Sequence, residues 1–191
     1  MLSVVIATHD SERVLVPTLA ALVPGAVAGI VREVIIADAG SADGTAEIAD
    51  GAGCRVLVLR EPRGARLAGA ADAARSSWLL FLTPGSVPDA TWTDEVRRFM
   101  EETALRGCSN TYAAAFRRAS TSFRPTLFEA LALIGSALGA RPRASQGLLI
   151  AKEFYQRIGG HRADGEAPED DLIRRLGSRI VLLRAGAMAP D

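Results

Sequence analysis

The stretch Glu33–Thr45, EVIIADAGSADGT, decides how this chain is read. Val34 to Ala37 is apolar and mostly β-branched, too short for a helix and suited to a strand buried on both faces. That strand delivers Asp38 to its carboxyl end, Gly40 permits a tight turn, and Asp43 can cap a helix predicted over Thr45–Asp50. Turn and cap chemistry account for Gly40, Ser41 and Asp43. They do not account for Asp38, because a carboxylate ending a buried strand is costly unless it is paired, hydrated or holding a ligand. Asp38 is therefore the first candidate site residue.

Outward from this stretch the same strand-turn-helix unit recurs. Leu2–Ala7 reads as a first strand, and Ser11-Glu12 starts a helix that apolar positions carry to Val23 and Pro24-Gly25 ends. Arg55–Leu59 is predicted as a strand, Ala65–Arg75 as an alanine-rich helix and Trp78–Leu82 as a fourth strand. Such alternation implies right-handed crossovers and the α/β class, with a mostly parallel sheet flanked by helices. Ligands of open α/β sheets bind outside the carboxyl ends of the strands, near the point where strand order reverses. Four segments fall there: Thr8–Asp10, Asp38–Asp43, Glu61–Arg66 and Thr83–Asp89.

The second half is less regular. The pattern predicts helices over Pro88–Glu102, Thr126–Gly139, Lys152–Ile158 and Asp170–Leu176, and strands over Tyr112–Arg117, Gly147–Ile150 and Arg179–Leu183. With no repeat, low-complexity tract or linker, the expectation is one domain over 1–191.

Composition bounds the function. Hydrophobic residues make up 49% of the 191 and charged ones 23%, which excludes a disordered chain. Twenty-two basic residues balance twenty-two acidic ones, so no net field draws in nucleic acid and any anion site must be local. Lys152 is the only lysine. Cys54 and Cys108 fit neither a disulfide framework nor metal-ligand spacing, as expected in a reducing compartment. Val14–Val31 carries no charged side chain and is long enough for a membrane span, yet Pro17, Pro24, Gly25 and Gly29 interrupt it. Asp10 and Glu12 before it argue against a signal peptide.

Four segments, SVVIATHDSE, VIIADAGSADGT, WLLFL and RIGGHRADGEAPEDDLIRRLG, fall in the order of the hallmarks of family 2 glycosyltransferases. From Leu2 to about Arg184 the chain resembles small bacterial members free of transmembrane helices. The resemblance implies the GT-A fold, with a nucleotide-binding half over about 1–90 and an acceptor half over about 91–191. It implies a cytoplasmic, inverting enzyme that takes a sugar from a UDP- or GDP-linked donor to an unidentified acceptor, lipid-linked in several relatives. Leu127–Leu138 is then either a core helix or a peripheral membrane contact.

Site residues follow from the same likeness. Thr8 and His9 would border the nucleotide base and Asp38 would bond it, while Arg63 and Arg66, with Arg60 beside them, would face the diphosphate. In Glu169-Asp170-Asp171 the resemblance makes Asp170 the general base, with Asp171 second; the residues alone equally describe an acidic first turn of a helix. His161 stands where the family usually has an aromatic residue, and with Asp164, Glu166 and Glu169 it offers a minor alternative metal cluster.

One departure is sharp. Where the family places Asp-x-Asp to hold Mg²⁺ or Mn²⁺, this chain reads Thr83-Pro84-Gly85-Ser86, so no metal site of the family type is expected. Either arginines and a helix N-terminus replace the ion, or the chain is a catalytically degenerate binding or interaction module. A nucleotidyltransferase would want a glycine-rich, basic loop after the first strand, and His9-Asp10-Ser11-Glu12 is its opposite.

Overall fold

All seven residues of β1 (Leu2–Thr8) and all five of β4 (Trp78–Leu82) are buried, which puts these two strands at the centre of the sheet. The structure, a computed structural model, describes residues 1–118 and 143–188. Beside β1 lies β2 (Val31–Asp38), and beside β2 lies β3 (Arg55–Val58). The remaining strands are β5 (Val87–Pro88), β6 (Ala113–Arg118), β7 (Leu148–Ala151) and β8 (Ile180–Met188). Eight strands run in the order β3-β2-β1-β4-β7-β6-β8-β5. β7 is antiparallel to β4 and β6, and β5 is antiparallel to β8; the other pairings are parallel. The α/β class read from the sequence is the class observed. Strand order reverses at β1, whose neighbours β2 and β4 lie on opposite sides, and in such sheets ligands bind at the carboxyl ends beside that point.

Helices α1 (Glu12–Val27), α2 (Thr45–Gly51), α3 (Arg63–Ala73) and α4 (Trp92–Leu105) connect the strands of the first half, and α5 (Lys152–Arg157) and α6 (Pro168–Leu176) follow β7. The predicted end of the first helix at Pro24-Gly25 is corrected, since α1 continues to Val27. Leu15, Leu19, Leu22 and Gly25 form its buried face, and that packing outweighs the missing proline N–H. Gly25 is where the helix makes room for Trp92: a Cβ there would lie 2.5 Å from the indole ring, which donates its N–H to the Ala21 carbonyl. The helix expected from Pro88 begins at Trp92, because Val87 and Pro88 pair with Met188 and Ala187 as an edge strand. Asp89 then accepts the amides of Thr91 and Gly186, joining α4 to β8.

The predicted Thr126–Gly139 helix, with its Leu127–Leu138 run, lies outside the described residues. Among the described residues no helix is long and apolar enough to cross a membrane.

One close approach positions the site. Gly64, in the first turn of α3, meets the backbone before α6 so tightly that an added Cβ would lie 1.9 Å from the Arg162 carbonyl oxygen and 3.1 Å from the Pro168 Cβ. Backbone cannot yield as a side-chain tip can. Gly64→Ala is expected to separate α3 from the 162–168 segment and lower stability by at least about 2 kcal/mol, read as a fall in the urea midpoint.

Candidate functional site

The register of β1 against β2 sets Thr8 directly opposite Asp38 at the carboxyl end of both strands. There the Thr8 hydroxyl donates to Asp38 Oδ1 at 2.7 Å, the amides of Gly40 and Ser41 donate to Oδ2 at 2.8 and 2.7 Å, and the Ser41 hydroxyl donates to Oδ1 at 2.5 Å. Four donors fill the carboxylate, which is 1% exposed. Burial pushes the Asp38 carboxyl up, but the bonds from Ser41, Thr8 and Gly40 outweigh it and hold the group below its ordinary value. Asp38, expected at the nucleotide base, is turned into the loop that follows β2. Asp38 organises the turn that follows β2.

Thr8 is likewise buried, its hydroxyl spent on Asp38, so it offers no side chain at the surface. Arg66, expected at the diphosphate, is buried, which corrects the alternative reading of a surface arginine. It is 6% exposed, and its Nη1 donates to the carbonyls of Thr8 at 2.6 Å and Ala37 at 3.0 Å. Thr8, Asp38 and Arg66 form one knot beneath the strand ends. Over it the loops after β1 and β2 are laced together: Asp10 N–H donates to Ser41 Oγ, Ala42 N–H to Asp10 Oδ1, Glu12 N–H to Asp43 Oδ2 and Gly44 N–H to Glu12 Oε2. Asp43 also accepts from the Thr45 amide and hydroxyl, as its capping role predicts.

Two of the five residues expected at the nucleotide remain open at the rim. The His9 side chain is 66% exposed, 3.9 Å from Asp10. Arg63 is half-buried; its Nε donates to Glu169 Oε1 at 2.6 Å and its Nη1 reaches the Ala7 carbonyl at 3.3 Å. Arg60, exposed, lies over the turn after β2, with its Nε 3.4 Å from where a Gly40 Cβ would be.

The acidic turn at the start of α6 separates its three carboxylates. Asp171 is held by Arg174 at 2.5 Å and Arg175 at 2.8 Å, with Arg162 at 3.9 Å. Burial raises its carboxyl, but the bonds from Arg175 and Arg174 more than reverse that, leaving it below the ordinary value. A carboxylate so engaged is a poor proton acceptor, and Asp171 is an anchor for α6. Asp170 is exposed and lines an open cleft of about 530 Å³ with Arg162, Glu166 and Arg174. Glu169 points the other way, into a small enclosed cavity shared with Phe81, Thr83, His161 and Ile173. Glu169, read from the sequence as part of the acidic motif and of an alternative metal cluster, is instead the partner of Arg63 across 106 residues.

His161 belongs to the same inner wall. Its backbone amide donates to the Tyr155 hydroxyl at 2.9 Å, and that hydroxyl lies 2.9 Å from Nδ1, so the phenol donates to Nδ1 and the ring proton sits on Nε2. Burial, then the charges of Arg175 and Arg63, push the imidazole down to about 3, so it stays neutral. His161 packs edge-on against Phe81, filling the aromatic position expected of it.

A divalent cation does not fit the loop after β4. Gly85 has no side chain, and its amide donates to Thr18 Oγ1. Ser86 is buried with its hydroxyl toward the Ser145 carbonyl, and Thr83 Oγ1 is buried without a partner. Neutral hydroxyls in these settings are weak donors to Mg²⁺ or Mn²⁺. Among the described residues no group of three or more His, Cys, Asp or Glu side chains is placed to hold a metal, including around His161.

Residues 3–123 match the family model described as Glycosyl transferase family 2. Solved structures share the fold. The S. aureus TarS chain 1–349, in complex with UDP-GlcNAc, superposes with a TM-score of 0.72 at 16% identity, over 100% of this chain and 58% of that one. Glucosyl-3-phosphoglycerate synthase from Mycobacterium tuberculosis, with Mn²⁺, UDP and glucosyl-3-phosphoglycerate, gives 0.66 at 20% identity, covering 100% of this chain and 72% of that one. Mannosyltransferase PcManGT from Pyrobaculum calidifontis, with GDP-Man and Mn²⁺, gives 0.68 at 16%, covering 95% and 55%. The chain thus spans about three fifths of the length of TarS 1–349. No curated protein matches the sequence. The architecture is that of GT-A glycosyltransferases.

The Asp38 knot yields a stability expectation. Asp38→Ala removes the acceptor of two amides and two hydroxyls, and should cost about 3 kcal/mol at pH 7, with Asp38→Asn costing less. Because the folded carboxyl titrates below its unfolded value of about 3.9, its contribution is fully present above that value and is lost as pH falls through the lower folded one. The gap between wild type and Asp38→Ala in urea unfolding should therefore close at acid pH.

Proposed function

The chain belongs to glycosyl transferase family 2, and from that premise we propose that it moves a sugar from a UDP- or GDP-linked donor to an acceptor hydroxyl with inversion. The observation that carries this reading is the meeting of His9, the Gly40-Ser41 turn, Arg60, Arg63 and the acidic start of α6 along the carboxyl edge of β1, β2 and β4. His9 offers an exposed ring for the base to stack on, and the laced turns form a rigid wall beside it.

Asp170 is the proposed base, the carboxylate of the acidic turn that faces an open cleft and makes no ion pair among the described residues. In the reaction it takes the proton of the acceptor hydroxyl as the oxygen bonds to the anomeric carbon. The bond from that carbon to the diphosphate oxygen breaks on the opposite face, and the nucleoside diphosphate leaves with the electron pair. Asp38, Thr8 and Arg66 act by holding the strand ends in shape. A cytoplasmic location, and a lipid-linked acceptor reached through peripheral membrane contact, belong to the same proposal.

The carboxylate-free loop after β4 favours a second reading, a binding module that has lost catalysis. Asp170→Asn separates the two. Under the transferase reading it should lower kcat for sugar transfer or donor hydrolysis by about 10²–10⁴, with nucleotide affinity by calorimetry unchanged. Wild type that binds a sugar nucleotide yet neither transfers nor hydrolyses it would favour the module.

A further inference from the structure

The strand ends are unusual in what their charged groups do. Asp10, Glu12, Asp38 and Asp43 all accept backbone amides within the loops after β1 and β2, and Asp89 accepts those of Thr91 and Gly186. Each of these five carboxylates is already engaged by backbone N–H groups, and Glu61 after β3 is the exposed acid beside them. The loop after β4, Thr83-Pro84-Gly85-Ser86, supplies no carboxylate.

Positive groups on the same edge are less consumed. Arg60 is exposed over the Gly40 turn and makes no hydrogen bond or ion pair among the described residues. Arg63 commits Nε to Glu169 and Nη1 to a carbonyl, which leaves Nη2 available. α3 opens with Pro62 as N-cap, with no side-chain cap and no acid in its first turn, so the positive end of its dipole is uncompensated by its own residues. In that same turn Arg66 is 6% exposed, and its Nε has no partner. Burial, then the neighbouring Arg63, disfavour its charge, and the carboxylates of Asp38, Glu169 and Glu61 offset that only in part.

We infer that this chain holds a diphosphate without a divalent cation, between Arg60, Arg63 and the first turn of α3, with Arg66 supplying buried positive charge beneath. The inference rests on the sugar-nucleotide reading above and departs from the Mn²⁺ present in the complexes of the Mycobacterium and Pyrobaculum enzymes. Two guanidiniums and oriented amides can neutralise a departing diphosphate in the way a cation does, by fixed charge placed where negative charge develops. Glu169 is then a positioning residue, holding Arg63 across the edge of the sheet.

Calorimetry on the full chain tests this with pyrophosphate, UDP and GDP, each in EDTA and in Mn²⁺. Binding of pyrophosphate and of at least one nucleotide should change less than about threefold between the two buffers. Arg63→Ala should weaken both by about tenfold or more. Because Arg63 also ties Glu169 and β1, Arg60→Ala, which removes no hydrogen bond or ion pair among the described residues, provides the second variant and should weaken binding several-fold with unaltered circular dichroism. A tenfold or larger gain on adding Mn²⁺ overturns the inference, as does binding indifferent to both substitutions or an absence of any binding in either buffer. Metal-independent pyrophosphate binding lost in Arg60→Ala, with UDP and GDP no tighter than pyrophosphate, upholds the diphosphate site and overturns the sugar-nucleotide reading instead.

Discussion

A carboxylate at the tip of a buried strand cannot be left alone, and the structure is arranged around satisfying one. Asp38 ends β2 opposite Thr8 on β1, and pairing the strands in that register brings hydroxyl to carboxylate. A slip of one residue would turn both side chains to the other face of the sheet and leave the charge buried among apolar groups. The register of the central strands, the tight Gly40 turn and the direction in which the following loop leaves the sheet are therefore set together. Arg66 completes the arrangement from α3, donating to the last carbonyls of the same two strands.

This economy has an electrostatic consequence. Each acid spent on tying loops to one another fixes their shape and withdraws a ligand from any cation. The edge that remains is laced by side-chain to backbone bonds across more than thirty residues, and Arg60 stands on it with no hydrogen bond or ion pair among the described residues. Rigid positive groups suit an anion whose charge grows during a reaction, because they need not reorganise as it does. Charge supplied this way also depends less on ion concentration than a bound metal would.

Much of the fold was legible in the residues because burial on both faces leaves a plain signature. Trp78–Leu82 is observed as read, and β1 and β2 differ from their readings only at the ends. What failed did so through long-range packing. Pro24-Gly25 carries every local mark of a helix end, yet Trp92, far along the chain, packs against Gly25 and the helix runs on. Val87-Pro88 looked like a helix start until β8 supplied a partner. At the site, the sequence located the important positions but not the direction of their side chains. Asp38 is as singular as its placement suggested, but its four donors come from Thr8, Gly40 and Ser41, and two of these were assigned to turn chemistry alone.

The acidic turn shows why direction is the harder part. Successive residues of a helix lie about 100° apart around its axis, so Glu169, Asp170 and Asp171 cannot share one environment. Linear order alone leaves the choice among them open by a residue, and the favourable helix dipole at that turn is felt by all three. Packing removes the ambiguity, because Pro168 and Leu172 are buried and fix the rotation of α6. With that face inward, Glu169 meets Arg63, Asp171 is turned toward Arg174 and Arg175, and Asp170 faces the open cleft. A proton acceptor must reach substrate and must not already be neutralised by a guanidinium, and of the three only Asp170 meets both conditions among the described residues. The proposal of Asp170 as base thus rests on the apolar residues on either side of it as much as on its own chemistry.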